Sequence, residues 1–176
     1  MRAADPVECQ IPATSTLRPD AVNAAYYWDA YRAPIASPPA SVVDLFFAVF
    51  AHHPHWMKAA IRSRNRVVRA FGLKVPPESD DFDRPRLTAY TVGDLIGRWP
   101  IYTLNDDELV AGRDSSHLDF RVSVLREVHA GSPTVAISTV CVVHNWVGKV
   151  YLLFVLPFHR RGVRYIIARA LRAGRL

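Results

Sequence analysis

Asn145-Trp-Val-Gly-Lys-Val-Tyr-Leu-Leu-Phe-Val-Leu-Pro-Phe-His159, running on to Leu171, is the stretch whose reading decides the fold. From Val150 to Phe158 it has no charged residue and carries apolar side chains on every helical face. A helix apolar all round is expected to be buried on all sides. On that reading Val150–Leu156 is nearly solvent-inaccessible. Leu153→Asp should then prevent folding, because an unpaired buried carboxylate is strongly unfavourable. Past Pro157, residues Phe158, Val163, Ile166, Ile167, Ala170 and Leu171 recur near helical spacing, with Arg160, Arg161, Arg164, Arg169 and Arg172 between them. That half reads as an amphipathic helix with a basic outer face. Pro157 should kink or divide the helix, since it has no N–H and its ring crowds the preceding turn. Asn145 is a good N-cap.

Working upstream, the chain reads as strands. Thr134–His144 places Val135, Ile137, Cys141 and Val143 on one face, and Ala130-Gly-Ser-Pro133 is a turn. His117–Val128 alternates, with Leu118, Phe120, Val122 and Val124 one way and His117, Asp119, Arg121 and Ser123 the other. Trp99–Leu104 and Glu108–Arg113 form a hairpin around Asn105-Asp106-Asp107. Tyr26–Ala33 is an aromatic-rich strand. Ser41 looks like an N-cap for a helix carrying Val42, Leu45, Phe46, Val49 and Phe50. A second helix starts at Pro54, with Met57, Ala60, Ile61, Val67, Val68 and Phe71 as its apolar stripe. Residues 73–95 are rich in Pro and Asp and read as a long lid loop.

The order is strand, two helices, loop, antiparallel meander and long terminal helix. It predicts an α+β domain over 26–176, preceded by an extended, loosely packed arm over 1–25 with a short strand near Ile11. An antiparallel sheet with one apolar face needs a cover, and the terminal helix supplies it. A cavity is expected between sheet and helix, closed by the two helices and the lid.

Composition narrows the class. The chain has 176 residues, half of them hydrophobic, and a formal charge of +6 from 22 Lys+Arg against 16 Asp+Glu. It is globular and long enough for a real core. The excess charge lies largely in Arg62–Arg69 and Arg160–Arg175. It reads as two solvated helix faces, or alternatively as attraction to anions. Cys9 and Cys141 have no metal-ligand spacing and fit a reduced, cytoplasmic setting, with no disulfide between them. The N-terminus lacks the apolar core of a signal peptide, and the apolar run near Leu152 is shorter than a membrane span. A soluble protein is expected.

The segments Gly112-Arg-Asp-Ser-Ser-His-Leu-Asp-Phe-Arg-Val-Ser-Val124, His144-Asn145 with Gly148 and Tyr151, and Pro157-Phe-His159 resemble the domain of unknown function 2867 family. So do Pro54-His-Trp56, Arg64-Asn65 and Phe71-Gly-Leu-Lys74. The resemblance covers roughly residues 26–172. It implies the helix-grip fold of the START and polyketide-cyclase (SRPBCC) superfamily, a curved antiparallel sheet around a long C-terminal helix, and implies no established activity. No Gly-x-Gly-x-x-Gly fingerprint occurs, so no nucleotide-binding domain is present.

Candidate chemistry falls into three groups. His117, Asp119 and Arg121 share a strand face, where a carboxylate beside a histidine suits acid–base work. A solvent-facing ion-pair row explains them equally well. Tyr151, Phe154 and Phe158 are expected to project toward the sheet at intervals of about one turn and to line the cavity with His144, Asn145 and His159. His52, His53 and His55 lack matching ligands, so no metal is expected. Neither is a cofactor: there is no phosphate loop, and Ser115-Ser116 has no nucleophile-elbow context.

The leading functional expectation is binding of an apolar or amphipathic small molecule in the cavity. Alternatives are a cyclase, dehydratase or isomerase using His117 and Asp119, and an interaction of the Arg-rich terminal face with anionic lipid or nucleic acid. The nucleic-acid signal is not strong.

Overall fold

The computed structural model describes residues 5–17, 22–36, 41–52, 54–70 and 86–176. Seven antiparallel strands form one sheet: β1 (Val7–Glu8), β2 (Tyr27–Pro34), β3 (Leu95–Ile96), β4 (Trp99–Leu104), β5 (Glu108–Arg113), β6 (Leu118–His129) and β7 (Ser132–Val143). Their order across the sheet is β1-β2-β7-β6-β5-β4-β3. Between β2 and β3 come helices α1 (Val42–Phe50) and α2 (His55–Ala70), and α3 (Trp146–Arg172) ends the chain. The chain is thus α+β, a curved antiparallel sheet with its C-terminal helix packed against it, in the helix-grip manner.

Local chemistry sets the element ends. Ser41 is extended and its Oγ accepts from the Asp44 N–H at 3.2 Å, capping α1 as expected. Pro54 opens α2, its carbonyl accepting from Met57 and Lys58. Ala130 (φ 50°) and Gly131 (φ 77°) make the β6–β7 hairpin turn in the left-handed region that tight hairpins require. Asn145 caps α3, its Oδ1 accepting from Gly148 N–H at 3.2 Å.

The two sheet faces are covered differently. The inner face, with Tyr31, Ala33, Ile101, Leu109, Ala111, Val122, Val124, Val135 and Ile137, packs on Val42, Leu45, Phe46 and Val49 of α1 and on Val163, Ile166, Ile167 and Ala170 of α3. The outer face receives the N-terminal arm: Ile11, Leu17, Val22 and Ala25 pack on Val110 and Val140. The arm is fastened there by Glu108, which accepts from Ser15 Oγ (2.6 Å), Thr16 N–H (2.5 Å) and Ser123 Oγ (2.5 Å). The arm's strand is Val7–Glu8 rather than a segment near Ile11.

Two expectations are corrected and one is narrowed. Of the kink or division expected at Pro157, the division does not occur, since α3 runs unbroken from Trp146 to Arg172. The proline is exposed, and so is Leu153, whose carbonyl it leaves without an intrahelical donor, so water is available to that carbonyl. Second, Val150–Leu156 is helical but not buried: Leu152 is inaccessible, whereas Val150, Leu153 and Phe154 are exposed. The sheet accepts one stripe of the helix, and a helix without a polar face does not announce which stripe. Third, Ala60 of α2 is exposed, the inward positions being Met57, Ile61, Arg64 and Asn65. The expected lid over 73–95 falls, as far as residue 85, outside the described residues, as do Phe71, His53 and the side chains of Val67 and Val68.

Candidate functional site

α3 lies over β2 and β7. Gly148 brings its first turn close to the sheet end: a Cβ there would sit 2.3 Å from the His117 carbonyl oxygen and 2.9 Å from Val143. Leu152 then enters a small cluster with Tyr27, Leu118 and Cys141. His159, Val163, Ile166, Ile167 and Ala170 continue the inward stripe. This phase places two polar clusters against the helix and one apolar surface away from the sheet.

The first cluster surrounds the turn before β6. His117 precedes the strand, so it does not stand in a row with Asp119 and Arg121. Its ring packs edge-on against Tyr151 (centroids 5.8 Å apart), and its Nδ1 lies 3.3 Å from Ser115 Oγ. Burial, and then the charge of His144, push its pKa below the usual histidine value. The Tyr151 hydroxyl accepts from Arg64 of α2. Asp119 and Arg121 lie on the outer face, in register with Val142 and Val140. Asp119 accepts from Ser115 N–H at 3.1 Å and meets His144 Nε2 at 3.0 Å. Arg121 pairs with Asp114 at 2.6 Å and stacks over Tyr102, 3.6 Å from its centroid. The expected triad is therefore divided between two environments, and Asp119 is joined to His144 rather than to His117. Asn145 donates to the Ser116 carbonyl at 2.9 Å and caps the helix, which is a structural role.

The second cluster was not read from the sequence as a unit. Asp29 of β2 is 3% exposed and points at α3. Its Oδ2 accepts from the Tyr27 hydroxyl at 2.6 Å, and both its oxygens lie 3.4 Å from His159 Nε2. Arg160 Nε donates to the Tyr27 oxygen at 3.2 Å, and its guanidinium stands over that ring. Burial pushes the Asp29 carboxyl upward, but the hydrogen bonds and charge of His159, with bonds from Tyr27 and Thr139, outweigh it and hold the group below its usual value. Tyr27 is pushed well above the usual phenol value by burial and by its bond to Asp29. Neighbouring Cys141 is a free thiol raised to about 12, chiefly by burial, and is unreactive as a thiolate near neutrality. Cys9 is also free.

The third feature is the outer side of α3. Trp146 (72% exposed), Val150 (44%), Leu153 (70%), Phe154 (69%) and Phe158 (76%) succeed one another along it. Phe154 and Phe158 are thus turned away from the sheet, against expectation, and only Tyr151 of the three aromatic residues is half-buried. Their i, i+4 spacing was legible; the side of the helix on which they fall was not. Further along the same side come the exposed Arg161, Arg164 and Tyr165. No acidic residue occurs anywhere between Trp146 and Arg172.

The surface clefts among the described residues include two that adjoin the arm. One, of about 570 Å³, lies between the arm and the β4–β5 turn, lined by Thr14, Thr16, Asp106, Asp107, Glu127 and neighbours. The other, of about 350 Å³, lies between Asp5–Pro6 and the second half of α3. Neither opens between the sheet and residues 148–156. Among the described residues no group of three or more His, Cys, Asp or Glu is placed to hold a metal ion, and no helix is long and apolar enough to cross a membrane.

A curved sheet, a gripped terminal helix and polar clusters at that helix define an α+β protein of helix-grip architecture. The chain belongs to the family described as Protein of unknown function (DUF2867), whose family model matches residues 21–166. Comparison with curated proteins and with solved structures found no match to either.

Proposed function

We propose that this protein binds an amphipathic, anionic partner, a lipid surface, through the outer side of α3. The observation that carries this reading is the run of exposed Trp146, Val150, Leu153, Phe154 and Phe158 leading into exposed arginines on a helix free of Asp and Glu. Apolar residues exposed singly need no explanation, but contiguous ones call for a partner. An apolar face followed by basic residues has the composition of a helix that lies in a membrane interface. The magnitudes favour an apolar-led contact. Each large side chain that leaves water contributes about 1.5–3 kcal/mol, against about 1 kcal/mol for each basic residue near an anionic surface.

The expected internal cavity for an apolar small molecule has weaker support, since Phe154 and Phe158, its intended lining, face outward. The acid–base reading through His117 and Asp119 is not favoured by any particular contact between them. Nucleic acid is also less suited, because a phosphate-led contact leaves the apolar run without a role.

The test is co-sedimentation of the full chain with vesicles. Binding to vesicles containing phosphatidylglycerol is expected, weakened but retained at high salt, and lost in Leu153→Asp. Binding abolished by salt and untouched by Leu153→Asp would point to a purely electrostatic contact. Wild-type protein that self-associates in solution, with Leu153→Asp monomeric and vesicle binding absent, would show that a second copy covers the helix instead.

A further inference from the structure

We infer that the cleft bounded by Asp5, Pro6, Arg161, Arg164, Tyr165 and Ala168 is a binding site for the phosphodiester headgroup of a glycerol-bearing anionic lipid; this rests on the reading of α3 as a lipid-binding surface. The volume, about 350 Å³, is within the range of small-ligand sites. Its cations are set apart from the other arginines of the region. Arg160 is engaged with Tyr27, Arg169 with the His52 carbonyl, Arg172 with the Ala168 carbonyl and Arg175 with the Ala48 carbonyl. Arg161 and Arg164 form no ion pair or hydrogen bond among the described residues, and stand three residues apart, hence on one side of the helix. Guanidinium groups suit phosphate oxygens because their N–H donors form a planar fork. Tyr165 adds a hydroxyl donor, with its ring held edge-on by Trp56 (centroids 5.7 Å apart). Ala168 leaves room beneath.

Charge selects the kind of phosphate. Two arginines and Asp5 give the cleft a net charge of +1. A phosphodiester carries one negative charge and neutralises it. A phosphomonoester carries about −1.5 to −2 near neutrality and would set its excess charge against Asp5. The Asp5 carboxylate accepts hydrogen bonds, so it suits the hydroxyls of a glycerol headgroup. The placement is continuous with the apolar run. Phe154 to Arg161 is seven residues, about 10 Å along the helix, so a headgroup in the cleft leaves its acyl chains against Phe158, Phe154 and Leu153.

The test uses the full chain with two probes. The first is vesicles of phosphatidylcholine doped with phosphatidylglycerol or, at matched surface charge, phosphatidic acid. Wild-type protein should prefer phosphatidylglycerol, Arg161→Gln/Arg164→Gln should lose the preference, and Asp5→Asn should shift it toward phosphatidic acid. The second probe is water-soluble glycerophosphoglycerol, which should move the amide resonances of Tyr165 and Ala168 in the wild type and not in the double variant. Vesicle binding without headgroup preference, and without those resonance shifts, overturns the cleft while leaving the α3 reading intact. Resonance shifts without any vesicle binding support the cleft and overturn the lipid-surface reading.

Discussion

Asp29 and His159 are separated by 130 positions in the chain and meet across the sheet–helix interface. No local pattern announces such a pair, because Asp29 alternates within a strand otherwise read as aromatic and apolar. Caps, by contrast, were legible at Ser41 and Asn145, since their partners lie three residues on. The His117–Asp119–Arg121 row failed for a local reason: β6 begins at Leu118, so His117 is released from the strand's alternation and turns to Tyr151. Asp29 carries a pH prediction. Its folded-state carboxyl is held below the ordinary value near 3.8, so the folded protein binds that proton less readily than the unfolded chain. The resulting stability is complete above the ordinary carboxylate range and is lost as pH falls through the folded value. Wild-type thermal stability should therefore decline between pH 5 and pH 3 (both about the carboxylate range) more steeply than that of Asp29→Asn. Equal slopes would remove Asp29 from the account of acid sensitivity.

The strands and helices themselves were legible, because alternation and helical periodicity are local. Their phase was not. In α3 the decision rests on Gly148, which presses the first turn onto the His117 carbonyl, and on Val163, Ile166, Ile167 and Ala170, which fix the second half. Two opposing effects can be weighed at Gly148. Alanine is intrinsically better in a helix by about 1 kcal/mol, but its Cβ would come within 2.3 Å of a backbone oxygen. Such crowding costs about 1–3 kcal/mol, and backbone yields poorly. Gly148→Ala should thus lower the melting temperature; a rise would show that the helix stands further from the sheet. Leu153→Asp gives the complementary outcome. At an exposed position it should fold and melt within about 0.5 kcal/mol of wild type, as surface changes do. A large loss of stability in chemical denaturation would restore the buried view of this segment.

At the scale of the whole molecule, the arm covers the outer face of the sheet, and α1 and the terminal helix share the inner face. The arm takes the outer face through Leu17, Val110, Val140 and the buried Glu108, a role that its prolines and small polar residues did not disclose. The terminal helix takes the β2–β7 part of the inner face and keeps a second apolar side for solvent or a partner. An apolar run looks the same in sequence whether it faces a core or a partner, and only its phase in the fold distinguishes the two. The central claim is that the outer side of α3 enters the lipid interface. It is tested most directly by tryptophan fluorescence in phosphatidylglycerol vesicles whose acyl chains carry bromine, a contact quencher. Trp146 begins the run on α3, whereas Trp28 lies on the outer face of the sheet. Trp56, exposed and edge-on to Tyr165 at the cleft, would also approach the lipid and is replaced by Phe throughout. In that background the account predicts quenching that is mostly lost in Trp146→Phe and unchanged in Trp28→Phe; quenching that survives Trp146→Phe, or is absent while Trp146 is present, would contradict it.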